Sequence, residues 1–145
     1  MKIKQLLPLA ALASYLFIAG CDDQLSNVVD QEPIKDISGI WSVVQLTRNG
    51  EDLTSRLDLK DFSINFKEDG TFAVQDALPF VLQGSGTYKL SDPQYPFSLL
   101  MDAGNGGEVA VQFQFPVVEG RRQLSLSFSL GCSGNTYQYN FERQN

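Results

Sequence analysis

Histidine is absent from this 145-residue chain. Its absence removes the usual general base, the commonest neutral metal ligand and the imidazole partner of a catalytic Ser or Cys. Basic residues are also few, since 11 Lys and Arg stand against 17 Asp and Glu, giving a formal net charge of −6. An acidic chain is unsuited to nucleic acid and to anionic lipid head groups. We therefore expect no enzyme activity, no cofactor, no metal site and no nucleic-acid partner.

A long hydrophobic run is lacking as well. The apolar stretch near the start of the sequence covers only residues 6–19. Crossing a bilayer takes about 20 apolar residues. Lys2 and Lys4 precede the stretch, which is typical of a cleaved signal peptide. The stretch ends in small residues directly before Cys21, an arrangement that resembles the lipobox of bacterial lipoproteins. That resemblance implies cleavage after Gly20 and acylation of Cys21.

Three segments follow from this interpretation. Residues 1–20 are the signal peptide, residues 21–37 are the lipidated cysteine with a flexible polar tether, and residues 38–145 form one domain. The predicted partner is the membrane, reached through the lipid anchor in the bacterial cell envelope. Asp22-Asp23 is either a sorting signal or solvated linker; outer membrane or cell surface is favoured, with the inner membrane open. The oligomeric state is left undecided.

Cysteine is scarce, with only Cys21 and Cys132 in the chain. If Cys21 is acylated, Cys132 has no partner for an internal disulfide, so the domain depends on its core. A reactive thiol needs an electropositive setting, and no basic residue stands near Cys132 in sequence. A buried, inert cysteine is therefore favoured over a functional one.

Apolar and polar residues alternate strongly after Gly39, as in 62–66, 109–115, 124–130 and 137–141. Alternation with period two places one row of side chains in a core and the other in water. Turn residues separate the runs. Together these patterns predict eight strands, over 40–48, 62–67, 71–75, 85–90, 97–102, 108–118, 123–130 and 136–142. Only 53–60 has helical spacing, for one or two turns at most.

Eight short strands joined in sequence predict an all-β, antiparallel, up-and-down closed barrel, because closure removes exposed edges. A two-sheet sandwich is the alternative. The odd connections are the longer ones, and in an up-and-down barrel they share one end. We therefore expect a looped mouth at one end and a closed base at the other.

Gly39-Ile40-Trp41 opens the first strand, and this G-x-W resembles the start of the lipocalin and fatty-acid-binding protein superfamily. In lipocalins the tryptophan plugs the closed end and packs near an arginine by the last strand. The resemblance implies that Trp41 lies at the barrel base, with Arg143 as a candidate for the arginine. The lipobox, the G-x-W motif and four further segments occur in the order typical of small lipocalin-like lipoproteins of Bacteroidetes; the segments are 66–72, 86–88, 92–96 and 131–137. This resemblance implies a lipid-anchored barrel and no specific chemistry.

An apolar run, 77–82, falls inside a predicted connection, where residues normally face water. It is either a portal for an apolar ligand or a loop folded down to plug the barrel, and the plug is favoured. The residues predicted to surround such a mouth are Leu53, Leu57, Leu78, Phe80, Val81 and Cys132.

Two functions remain open from the sequence. The first is a membrane-anchored binding protein of lipocalin-like form that holds a small apolar or amphipathic ligand. The second is an interaction module with a filled core, whose loops or outer sheet face contact an envelope protein or a glycan. Carboxylates near the turns, such as Asp92 and Asp102, have no spacing that selects a catalytic pair.

Overall fold

The computed structural model describes residues 32–76, 78–104, 106–131 and 134–144. These segments contain ten strands and a single 3-10 turn, Thr54–Arg56, which lies where the sequence predicts at most a short helix. The strands are β1 (Gly39–Arg48), β2 (Glu51–Asp52), β3 (Ser63–Phe66), β4 (Thr71–Gln75), β5 (Ser85–Leu90), β6 (Ser98–Asp102), β7 (Val109–Gln114), β8 (Val117–Val118), β9 (Arg121–Ser129) and β10 (Thr136–Arg143).

Eight of the strands in the described segments close into one barrel. Their order is β1-β3-β4-β5-β6-β7-β9-β10, every neighbouring pair is antiparallel, and β10 returns to pair with β1. The short strands β2 and β8 extend β1 and β9 at their ends. This closure confirms the predicted all-β, up-and-down, eight-stranded barrel and excludes an open sandwich.

The alternation in the sequence determines which side chains fill the barrel. In β3, Ile64 and Phe66 are buried. In β7, Val111 and Phe113 are buried, and Gln112 between these two is exposed. Burying large apolar side chains is the main favourable term of folding. The largest fully buried side chains are Trp41, Tyr139, Phe62, Phe66, Phe72, Phe141, Leu46, Ile64, Leu99, Met101, Leu124 and Leu126.

A β-bulge interrupts the alternation in β1, where Val43 pairs with Phe141 and Gln45 pairs with Asn140. Val44 is thus the extra residue of a bulge. Trp41 and Val43 face the core before it and Leu46 faces the core after it, while Val44 is turned to the surface. Strict alternation would have placed Leu46 outside, so the bulge corrects the register of the strand.

The sixth predicted strand is interrupted at Pro116. The β7 ladder ends at Gln114, and β8 then pairs only with β9. Proline has no N–H for a ladder hydrogen bond, which explains why the β7 ladder stops just before it. The Pro116 carbonyl instead accepts a hydrogen bond from the N–H of Gln123 at 3.0 Å.

The barrel has two different ends. The connections 49–62, 76–84, 103–108 and 130–135 meet at one, which we call the looped end. The connections 67–70, 91–97 and 115–120 meet at the other, which we call the base. The base also receives residues 32–38, since the Lys35 N–H donates to the Pro93 carbonyl at 2.8 Å and Ile37 is buried. Lys35 and Ile37, which the sequence assigns to the tether, therefore contact the barrel, with Ile37 as the apolar anchor.

Candidate functional site

Phe80 closes the looped end from the connection 76–84. Its side chain is only 5% exposed. The Phe80 ring centroid lies 5.7 Å from that of Phe62, 5.1 Å from that of Phe128 and 5.6 Å from that of Tyr139, the last two edge-to-face. Aromatic pairs at these separations gain energy beyond their burial. The apolar part of this connection therefore packs into the barrel, in the arrangement of a plug.

Tyr139 ties the plug to the barrel wall. Its hydroxyl donates a hydrogen bond to the Pro79 carbonyl, next to Phe80 in the chain. Burial raises the pKa of the Tyr139 hydroxyl far above its usual range, with a further contribution from Tyr137. A tyrosine hydroxyl is a hydrogen-bond donor at neutral pH, and the raised pKa keeps this one a donor in alkaline solution as well. A side-chain hydrogen bond thus holds the connection 76–84 at the looped end, and the alternation of the sequence does not predict it.

The other residues predicted around the mouth differ in their surroundings. Leu53, Leu78 and Val81 are partly buried and pack against the core, whereas Leu57 is 38% exposed. The structure thus brings Phe80 and three of its predicted neighbours to the looped end and leaves Leu57 on the outside. Cys132 lies outside the described residues.

A shallow groove runs along the outer side of Leu57. It has a volume of about 300 Å³ and lies between the middle of β1 and residues 54–60. Val44 contributes to its wall because the bulge turns that side chain outward. Lys60 and Asp58 also line it, so the groove is mixed in polarity. Val44 could not be recognised from the sequence, because two adjacent valines do not show which of them faces outward.

Trp41 is buried at the base. Its indole N–H donates a hydrogen bond to the Ile37 carbonyl at 2.7 Å, which holds residues 32–38 across this end. Its ring centroid lies 5.9 Å from that of Phe115 in an edge-to-face arrangement. A buried indole N–H normally has a partner, and here the N-terminal segment supplies it.

Arg143 lies over the Trp41 ring, with the guanidinium carbon 5.6 Å from the ring centroid. Its guanidinium donates to the Ser38 carbonyl and lies 3.6 Å from the Asp36 carboxylate. Hydrogen bonds from Ser38 hold the pKa of the Asp36 carboxyl below its usual range, and the charge of Arg143 acts in the same direction. Arg143 therefore joins β10, the indole ring and the N-terminal segment.

Two further arginines stand beside this contact. The guanidinium carbon of Arg122 is 5.3 Å from the Phe115 ring centroid, and its Nη1 donates to the Phe115 carbonyl at 3.0 Å. Arg121, Arg122 and Arg143 line a surface cavity of about 280 Å³ together with Glu142. The base is thus the more basic end of an acidic chain, although Glu142 lies 3.7 Å from Arg121.

Gly20 and Cys21, where the sequence predicts signal-peptide cleavage and lipidation, lie outside the described residues. In the part of the chain that is described, no three His, Cys, Asp or Glu side chains group closely enough to hold a metal ion. A search of the same residues found no helix long and apolar enough to cross a membrane.

The chain was compared with known proteins. No curated protein and no solved structure matches it significantly. A family model described as "Domain of unknown function (DUF5004)" matches residues 19–142, which is most of the chain. The closed antiparallel barrel is consistent with a lipocalin-like fold. The chain therefore belongs to the family described as Domain of unknown function (DUF5004).

Proposed function

We propose that this protein is a non-enzymatic interaction module of the bacterial cell envelope that contacts its partner through its surface. An acylated Cys21 holds it on the membrane. The observation that carries the proposal is the burial of Phe80, which fills the looped end with the protein's own side chain. Eight-stranded barrels are either filled in this way or hold one small ligand. A barrel occupied by its own aromatic rings leaves the outer surface for recognition.

The lipid anchor is supported by the sequence around Cys21. The family match begins at residue 19, close to the proposed cleavage after Gly20. The proposal puts the anchor in the outer membrane or at the cell surface. Mass spectrometry of the detergent-extracted chain tests it: an N-terminal, acylated Cys21 is expected. Recovery of an unmodified Cys21 would contradict the anchor.

A second function is a carrier of a small apolar or amphipathic molecule. It is favoured by one observation, that the plugging ring belongs to a connection and not to a strand of the barrel. Displacing a connection breaks no strand pairing, so Phe80 could leave and make room. Tyr139 and its hydrogen bond to the Pro79 carbonyl would then act as the latch.

Titration with the apolar fluorescent probe 1-anilinonaphthalene-8-sulfonate separates the two functions. A filled interaction module binds no stoichiometric probe inside the barrel as wild type. Phe80→Ala opens a cavity of about benzene size, which should bind about one benzene molecule per chain. Phe97→Ala is the matched control, because Phe97 is exposed and its removal leaves no cavity.

Saturable binding of one probe by the wild-type chain that Phe97→Ala retains would contradict the filled module and favour the carrier, whereas binding that Phe97→Ala abolishes lies on the exposed surface. Circular dichroism checks that each variant is folded. If Phe80→Ala does not fold, Phe80→Leu serves instead, because leucine keeps most of the volume. Mass spectrometry of small molecules that co-purify with the natively extracted chain gives an independent answer.

A further inference from the structure

An unusual concentration of exposed apolar side chains lies along one side of the base. Phe97 is 72% exposed, Ile34 is 71% exposed and Tyr95 is 64% exposed, and in the β8 strand Val117 is 56% and Val118 40% exposed. We call these five residues the apolar edge. Isolated exposed apolar residues are ordinary, but a group that includes two aromatic rings points to an interaction surface.

Backbone hydrogen bonds place the segments of the apolar edge next to one another. The Lys35 N–H donates to the Pro93 carbonyl at 2.8 Å, which joins the N-terminal segment to the connection 91–97. The Phe113 N–H donates to the Phe97 carbonyl at 3.1 Å, which joins that connection to β7. β7 continues directly into the β8–β9 hairpin that carries the two valines. The apolar edge is therefore one side of the base, built from three adjacent pieces of chain.

The aromatic residues of this edge stand on a fixed turn. The Asp92 carboxylate accepts hydrogen bonds from the N–H groups of Gln94 and Tyr95, at 2.7 and 2.8 Å. The Ser91 hydroxyl accepts from the N–H of Phe97 at 3.2 Å. Because these backbone groups are bonded within the turn, the rings of Tyr95 and Phe97 are held outward without exposing unpaired amides.

The charges of the base are arranged unequally around the barrel. Arg121 and Arg122 pair across the hairpin with Val118 and Val117. The acidic turn at Glu68-Asp69 joins β3 to β4, four strands away around the barrel from the β7–β9 connection. Arg121 and Arg122 thus place positive charge beside the apolar edge, where Glu119 of the same hairpin and Asp92 of the neighbouring turn are acidic.

We propose that the apolar edge docks on the lipid surface of the membrane that holds the acylated Cys21, an inference that rests on the lipid anchor of the proposed function. Eleven residues separate the first described residue, Glu32, from the start of the mature chain, counting Cys21 itself. Even fully extended, they span at most about 40 Å. Their attachment is at the base, so the base is the end of the barrel nearest the anchor.

The looped end is turned away from the bilayer in this arrangement. β1 has ten residues, so it is about 33 Å long, and its tilt in an eight-stranded barrel puts the looped end about 25 Å farther from the lipid. Aromatic residues favour the membrane interface, and a second membrane contact strengthens attachment by an acyl chain. Because the chain as a whole is acidic, apolar insertion and not charge supplies the contact.

Fluorescence quenching in vesicles tests this orientation with the full, acylated chain. Phe97→Trp places a reporter on the apolar edge, and Leu57→Trp places a matched reporter in the connection 49–62, outside the middle of β1 and away from the apolar edge. Both variants are reconstituted in phosphatidylcholine vesicles with plain or brominated acyl chains, and the signal of the buried Trp41 is subtracted with the wild type. Docking predicts about two-fold quenching of Phe97→Trp by brominated lipid, unchanged at high salt, and no quenching of Leu57→Trp.

Vesicle flotation separates this inference from the anchor on which it rests. A chain that floats, but whose Phe97→Trp fluorescence is equal in plain and brominated vesicles, overturns the docking and leaves the anchor intact. The same holds if Leu57→Trp is quenched equally, because the base then has no preferred contact. A chain that floats no better than Cys21→Ser overturns both. If the edge is free of lipid and a cross-linked envelope protein is found at Phe97, the partner is a protein and the lipid assignment is wrong.

Discussion

Arg143, the last residue of β10, lies directly over the ring of Trp41 in β1, and the strand register pairs these two residues. The contact exists only because the last strand of the barrel returns to the first. Loss of this contact would therefore indicate that the barrel has opened between β1 and β10, which contacts within a hairpin cannot indicate. The Asp36 carboxylate and the Ser38 carbonyl add the N-terminal segment to the same guanidinium.

We expect Arg143→Ala to lower the free energy of unfolding by about 1–2 kcal/mol, since it removes a cation–π contact and packing over the indole. Arg143→Lys should recover only part of this, because an ammonium lacks the planar face of the guanidinium. Urea unfolding, followed by the fluorescence of Trp41, measures both. The control is Arg121→Ala, whose exposed pair with Glu142 should contribute no more than about 0.5 kcal/mol. Equal losses for the two alanine variants would contradict a special role for Arg143.

Stability should fall in alkaline solution because of Tyr139. Burial raises the pKa of its hydroxyl in the folded chain, so above about pH 10 the unfolded chain loses a proton that the folded chain keeps. The stabilisation is complete below pH 10 and declines as pH rises, by up to about 1.4 kcal/mol per pH unit for one group. Urea unfolding at several pH values from 9 to 12 measures this slope.

Tyr139→Phe should reduce the fall of the free energy of unfolding with alkaline pH by the contribution of nearly one proton. At pH 7 the same variant should lose about 1 kcal/mol of the free energy of unfolding, because the hydrogen bond to the Pro79 carbonyl is gone. Part of the slope should remain, because burial also raises the pKa of Tyr88. Tyr95→Phe is the control, since the Tyr95 ring is exposed. An unchanged slope in Tyr139→Phe would show that the hydroxyl is not buried in solution.

Gly86 should tolerate no side chain. A Cβ atom at this position in β5 would lie 2.0 Å from the Asp102 carbonyl oxygen in β6, and backbone cannot move away as a flexible side chain could. We expect Gly86→Ala to lower the free energy of unfolding by about 3 kcal/mol. Gly106→Ala is the matched control, because nothing lies within 4 Å of its Cβ, and its effect should be about 0.5 kcal/mol or less. Thermal unfolding of the two variants makes the comparison, and similar midpoints would contradict the close strand approach.

Much of the fold could be predicted from local pattern. Alternation in 62–66 and 109–113 indicated which side chains face the core. The bulge at Val44 could not be predicted, because both valines at 43 and 44 suit a strand and only the pairing with β10 decides between them. The same applies to Ile37, whose burial depends on Trp41 and not on its polar neighbours in sequence.

The candidate sites depended more on tertiary contacts. The run 77–82 was recognised as apolar, but its two interpretations differ only in whether a ring points into the barrel. Contacts of Phe80 with Phe62, Phe128 and Tyr139 favour the plug, and these partners come from three distant parts of the chain. The apolar edge escaped notice because Ile34, Tyr95 and Val117 are single residues in separate segments.

The sequence by itself determined the class of the fold, the number of main strands and the order in which they pair, because period-two burial and turn residues act over short distances. It also predicted the lipid anchor at Cys21. Only the tertiary structure decided that the looped end is plugged, that Arg143 covers Trp41 and that one side of the base is apolar. These features arise when closure of the barrel brings distant segments together. The packing of side chains from different segments cannot be predicted from a pattern within one segment.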